Sequence, residues 1–141
     1  MSEAVFQIGV KALVRNDKGY ILLLGKKRVG DIVTYDFPGG RLDLGESPMA
    51  ALRRELQEEA GIAQVYNITY FDATVTKLKP KTEYGEVGLL IMLYKAEYNV
   101  ETPIKIGADE HDFEWFSPQD TADLIGFKYH SDFCEKIAQL A

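Results

Sequence analysis

Glu55, Glu58 and Glu59 stand at i, i+3 and i+4 in the run Arg54-Glu55-Leu56-Gln57-Glu58-Glu59. On a helix, residues three and four apart are neighbours, so these three carboxylates would leave one face and converge. Like charges so close repel and raise one another's pKa, a cost that a cation or a basic partner would offset. Mg²⁺ is the natural cation, because it takes hard oxygen ligands and commonly bridges protein carboxylates to substrate phosphates. Arg54, one turn before Glu58, can hold an acidic neighbour in place. A Glu-rich run alone is nevertheless more often a solvated helix face than a site.

The residues ahead of the run add to it. Gly39 and Gly40 permit close backbone approaches that other residues resist, and Arg41 brings a fixed positive charge able to pair with phosphate oxygens. Glu46 supplies a further carboxylate near the helix start. The helix itself is well marked: Ser47 suits the N-cap, Pro48 the first helical position and Gly61 a left-handed C-cap, which predicts a helix over Pro48 to Ala60. Met49, Leu52, Leu56 and Ala60 form its buried stripe.

Before this helix, Val5 to Val14 and Tyr20 to Leu24 read as a β-hairpin about the turn Asn16-Asp17-Lys18-Gly19. A basic run, Lys26-Lys27-Arg28, follows, then a loop with Gly30, an extended piece from Tyr35 to Phe37 and the turn Pro38-Gly39-Gly40. After the helix, Val65 to Leu78 is strand-like and Lys79 to Gly88 is a loop. Leu89 to Ala96 is a continuous apolar strand covered on both faces. A polar stretch from Tyr98 to Asp112 leads to a short strand at Trp115 and Phe116, and Ser117-Pro118 repeats the cap-and-proline start of a helix. A terminal helix runs from Ser131 to Leu140, with Phe133, Ile137 and Leu140 inward. The order of elements is that of one α/β domain over residues 1–141.

Composition narrows the chemistry. Hydrophobic residues at 46% and charged residues at 27% are ordinary for a globular protein and exclude extensive disorder. The net charge of -6 gives no long-range attraction for a nucleic-acid backbone, so no stable nucleic-acid partner is expected. The single cysteine, Cys134, excludes an intrachain disulfide and a thiolate metal cage, and suits a reducing, cytoplasmic setting. Neither a secretory leader nor a membrane-spanning apolar run is indicated. His111 and His130 are isolated and lack ligand spacing.

The stretch Gly40-Arg41-Leu42-Asp43-Leu44-Gly45-Glu46, seven residues, then Arg54 to Ile62, resembles the Nudix box, G-x5-E-x7-R-E-U-x-E-E-x-G-U with U aliphatic. All nine constrained positions of the 23-residue box carry the required residue type. The opening hairpin, Pro38-Gly39-Gly40 and Trp115-Phe116-Ser117-Pro118 extend the likeness more loosely. The resemblance implies an α/β/α sandwich with a mixed central β-sheet and hydrolysis of nucleoside diphosphates linked to another moiety X, either nucleoside triphosphates or nucleotide sugars. It implies Glu58 and Glu59 as principal Mg²⁺ ligands, with Mn²⁺ able to substitute. Glu55 would be a further ligand or the base, and Arg54 an orienting partner. Glu46 and the Gly40 backbone would complete the metal environment. Some members of the family take the base from a later loop, for which Glu110, ahead of Glu114, is the candidate here. Arg41, Arg28 and Lys27 are candidate phosphate contacts. Homodimers are frequent in the family. A nucleotide-sensing module without turnover is the second reading, and the intact acidic set weighs against it. Removal of the RNA cap is the third, weakened by the acidic balance and the lack of a basic extension.

Overall fold

The computed structural model describes residues 3–99 and 103–140. Residues 100–102 of the polar stretch, and Met1 and Ser2, lie outside the described residues.

A mixed sheet forms the middle layer. Strand β1 (Phe6–Arg15) runs parallel to β8 (Gly88–Glu97), in register from Phe6↔Gly88 to Arg15↔Glu97. All other pairings are antiparallel: β2 (Ile21–Lys27) with β1, with β3 (Val33–Asp36) and with β9 (Asp112–Phe116), β4 (Gly39–Arg41) with β1, and β5 (Tyr66–Val75) with β8. The β1–β2 hairpin forms where the sequence predicts it. Asn16 Oδ1 accepts from the Lys18 and Tyr20 amides at 3.0 and 2.9 Å, and Gly19 adopts φ 81°, which its missing Cβ permits.

Helix α1 (Pro48–Ala60) covers one face of the sheet, packing Leu52, Leu56 and Ala60 against Val10, Ala12, Leu22 and Leu24. Ala51 is buried as well, whereas Met49 is only half-buried, so the inward stripe is rotated slightly from the predicted one. Helices α2 (Pro118–Leu124) and α3 (Ser131–Ala138) cover the other face, where Ile125, Tyr129, Phe133 and Ile137 meet Leu13, Leu23, Leu89 and Ile91. Strand β8 feeds both layers, as its unbroken apolar run requires. The architecture is therefore the expected α/β/α sandwich.

The segment expected as a loop between β5 and β8 carries a two-stranded ribbon, β6 (Lys81–Thr82) with β7 (Gly85–Glu86). Its turn, with Thr82 Oγ1 accepting from the Tyr84 amide and Gly85 at φ 88°, supplies the reversal that the polar sequence conceals.

Candidate active site

Two features of α1 fix where its carboxylates lie. Ser47 Oγ accepts from the Ala50 amide at 3.2 Å, and Gly61 ends the helix in the left-handed conformation at φ 66°. Gly107 then caps the C-terminal turn, its amide donating to Glu59 O at 2.9 Å, and the Glu110 amide turns back onto Gly107 O at 3.1 Å. A loop distant in sequence is thereby brought onto the end of the acidic helix.

Arg54 is the hub of the acidic face. Its guanidinium meets Glu46 twice, Nε to Oε2 at 2.7 Å and Nη2 to Oε1 at 3.0 Å. It also meets Glu55 Oε1 at 2.9 Å, Glu58 Oε2 at 3.4 Å and Asp43 Oδ2 at 3.5 Å. The hydrogen bonds from Arg54 and from the Asp43 amide hold the Glu46 carboxyl down at about 2, and those from Arg54 to Glu46 and Glu55 push the arginine further into its charged form. The Glu55 carboxylate lies directly beneath Gly40: a Cβ on that glycine would stand 2.5 Å from it. Gly40 is thus required by the approach of the β4 backbone to a carboxylate. Gly39, at φ 145°, is required because a Cβ there would enter the Val10 carbonyl on β1.

Glu59 is tied to β4. Its Oε1 accepts from the Gly39 amide at 2.6 Å, next to the Gly40 backbone that the Glu55 carboxylate approaches. Burial raises its pKa to about 7, against the lowering effects of the Lys11 charge and the Gly39 amide, with the charge and hydrogen bond of Glu110 adding to the rise. The carboxylates have different partners: Glu46, Glu55 and Glu58 meet Arg54, and Glu59 meets the Gly39 amide and Glu110. Among the described residues no three of His, Cys, Asp and Glu form a ready-made cage. Glu114, on β9 opposite Leu23, is exposed, so of the two candidate later glutamates it is Glu110 that the fold carries to the helix.

Glu59 opens into a cleft of about 110 Å³ that is also lined by Glu110, Lys11, Lys26, Arg28 and Lys128. Its floor is a charge network absent from the sequence expectations. Asp36 accepts from Lys128 Nζ at 2.7 Å and Tyr129 Oη at 2.9 Å, and pairs with Lys11 Nζ at 3.4 Å. Burial alone would raise the Asp36 pKa, but the charges of Lys11 and Lys128 and the hydrogen bonds from Lys128 and Tyr129 outweigh it, and the net shift is downward. The predicted phosphate contacts separate. Arg28 lines the cleft and donates from Nε to Thr34 Oγ1 at 2.9 Å, whereas Lys27 points away and pairs with Asp31 at 3.2 Å. Lys26, from the same basic run, lines the cleft instead, and strand alternation is the signal that would have found it, since residues 24, 26 and 28 share one face. Arg41 lies elsewhere, in a shallow groove of about 680 Å³ with Phe6, Ile8, Leu44 and Tyr84. His111 and His130 are exposed.

The chain is 36% identical over 77 residues to an 8-oxo-dGTP diphosphatase of Haemophilus influenzae, covering 51% of this chain and 56% of that one. It is 26% identical over 113 residues to the nucleoside triphosphatase NudI of Escherichia coli, covering 77% and 79%. The matches span about half or less of the first curated relatives, 56%, 43% and 34% of their lengths. Among solved structures, the MutT protein of Methanosarcina mazei superposes with a TM-score of 0.69 at 25% identity, covering 97% of this chain and 96% of that one. The dihydroneopterin triphosphate pyrophosphohydrolase of E. coli shares the fold with a TM-score of 0.70 at 16% identity, over 96% and 97%. The NUDIX domain model matches residues 5–135, nearly the whole chain, and the protein belongs to that family.

Proposed function

We propose that this chain is a divalent-cation-dependent pyrophosphohydrolase of nucleoside diphosphates linked to a moiety X. The observation that carries the reading is the imbalance on α1, where a single guanidinium is shared among Asp43, Glu46, Glu55 and Glu58 while Glu59 faces another acid. Such a set is completed by a cation, and its donors are the hard oxygens that Mg²⁺ or Mn²⁺ takes. Mg²⁺ keeps several waters and relies on a few carboxylates plus substrate phosphates. Glu55, Glu58 and Glu59 would hold the ion, with the Gly40 carbonyl completing the environment. When bound, the ion supplies positive charge to the diphosphate as negative charge builds on the bridging oxygen.

The protein's own groups do the rest. Arg54 pairs with both Glu55 and Glu58 and orients them. Glu110, held beside Glu59 by the Gly107 turn, takes the proton of the water that attacks phosphorus as the P–O bond breaks. The triphosphate-cleaving relatives support nucleotides as the substrate class.

Glu58 is 60% exposed, so Glu58→Gln leaves the fold intact. Its expected effect is a loss of turnover on the order of a hundredfold or more. The measurement is phosphate-product release from nucleoside triphosphates, ADP-ribose, nucleotide sugars and dinucleoside polyphosphates, with Mg²⁺, with Mn²⁺ and with chelator. Near-normal turnover by the variant sinks the assignment, and binding without turnover across the panel favours a sensing module.

A further inference from the structure

The cleft beside Glu59 holds more positive charge than the fold itself uses. Lys11, Lys26, Arg28 and Lys128 all line it. Asp36 is the one carboxylate given to this wall, and it already meets both Lys11 and Lys128. Arg28 hydrogen-bonds a neutral partner, Thr34, and the Lys26 side chain has no hydrogen-bond or ion-pair partner among the described residues. The remaining acids, Glu59 and Glu110, belong to the acidic helix and its proposed cation. Crowding these cations has a visible cost: burial lowers the Lys128 pKa, and the charges of Lys11 and Arg28 lower it further, against the pull of Asp36. A visiting anion would relieve that cost. The cleft, at about 110 Å³, is well below the roughly 300–1,000 Å³ of a pocket for a whole ligand, so it receives one end of a substrate whose diphosphate lies on α1. Lys26 and Arg28 project from alternate positions of one chain segment, a pairing suited to gripping a group with several anionic oxygens.

We infer that this cleft holds a phosphate of X, so that the preferred substrate is a nucleoside diphosphate whose X is a phosphate or begins with one, over one whose X is a neutral sugar. The inference rests on the hydrolase reading and narrows its substrate class. Two sources share the chemistry: a nucleoside triphosphate, where X is phosphate alone, and a dinucleoside polyphosphate, where X continues into a second nucleotide.

The test begins with binding, independent of turnover. Isothermal titration in Mg²⁺ compares inorganic pyrophosphate with inorganic tripolyphosphate, on the parent chain and on the double variant Lys26→Gln, Arg28→Gln. The parent is expected to bind tripolyphosphate about tenfold or more tightly than pyrophosphate, and the double variant to close most of that gap with an unchanged circular dichroism spectrum. Equal affinities in the parent, or a gap that survives in the double variant, overturn the inference. Turnover of ATP, diadenosine tetraphosphate and ADP-ribose is then compared by kcat/KM. Preference for ATP or for the tetraphosphate identifies the source, while preference for ADP-ribose overturns the inference and leaves the hydrolase standing. Absence of turnover from the wider panel would instead strike the hydrolase reading, with the titration result intact.

Discussion

Arg54 and Asp36 are opposite solutions to one electrostatic problem. Around Arg54, one cation is shared among four carboxylates, Asp43, Glu46, Glu55 and Glu58, at the edge of solvent. Around Asp36, one carboxylate is shared between two ammonium groups and a phenol, at the end of β3 and against Tyr129. The first leaves negative charge unspent and the second leaves positive charge unspent, with Glu59 between them. A fold does not gain stability from either surplus, since exposed ion pairs contribute little and buried ones must offset their own desolvation. Side by side, however, the two surpluses match a substrate that brings a cation on one side and anionic oxygens on the other.

On the proposed reading the Asp36 network is chiefly structural and the Arg54 network chiefly functional, and variants can break that contrast. Asp36→Ala leaves Lys11 and Lys128 facing each other without their shared partner and is expected to cost about 3–5 kcal/mol in urea denaturation. Because the folded Asp36 carboxyl lies below its unfolded value, its contribution is present above the unfolded carboxylate range and disappears as pH falls through the folded value. Parent and variant should therefore converge in stability in strong acid, and a constant gap down to that range would show that packing, not charge, holds the site. Arg54→Ala is expected to change stability little and to weaken Mg²⁺ binding by roughly 10–100-fold, because the carboxylates lose the group that orients them. A large loss of stability with unaltered Mg²⁺ affinity would reverse the roles assigned to the two networks. The smallest effect is on pH. On the proposed reading Glu59, held up at about 7, releases its proton to bind a cation, so Mg²⁺ affinity should rise by up to about tenfold per unit below pH 7 and level off above it. A flat profile across that range would place Glu59 outside the ion's reach.

The local features were legible in the sequence and the long-range ones were not. Helix α1 begins and ends where Ser47, Pro48 and Gly61 require, because a cap and its helix are neighbours in sequence. The β6–β7 ribbon was hidden because each strand is two residues long and alternates too briefly to register. Asp36 pairs with Lys128 across 92 residues, and no spacing rule reaches that far. Helix spacing places Glu55, Glu58 and Glu59 on one face and says nothing of what each carboxylate meets. In the fold the Gly39 amide competes for Glu59, an interaction made by a strand that the helix pattern does not contain.

The parallel pairing of β1 with β8 has a consequence for how the molecule is made. Phe6 meets Gly88, and Val10, whose strand partner Gly40 opens the box, meets Met92. A ribosome therefore completes the whole acidic helix well before the strand that closes the sheet beside β1 has emerged. Non-local closure of this kind is slow and leaves apolar strand edges bare in the interval, so nascent chains halted ahead of β8 should be the species that chaperones hold and proteases clear.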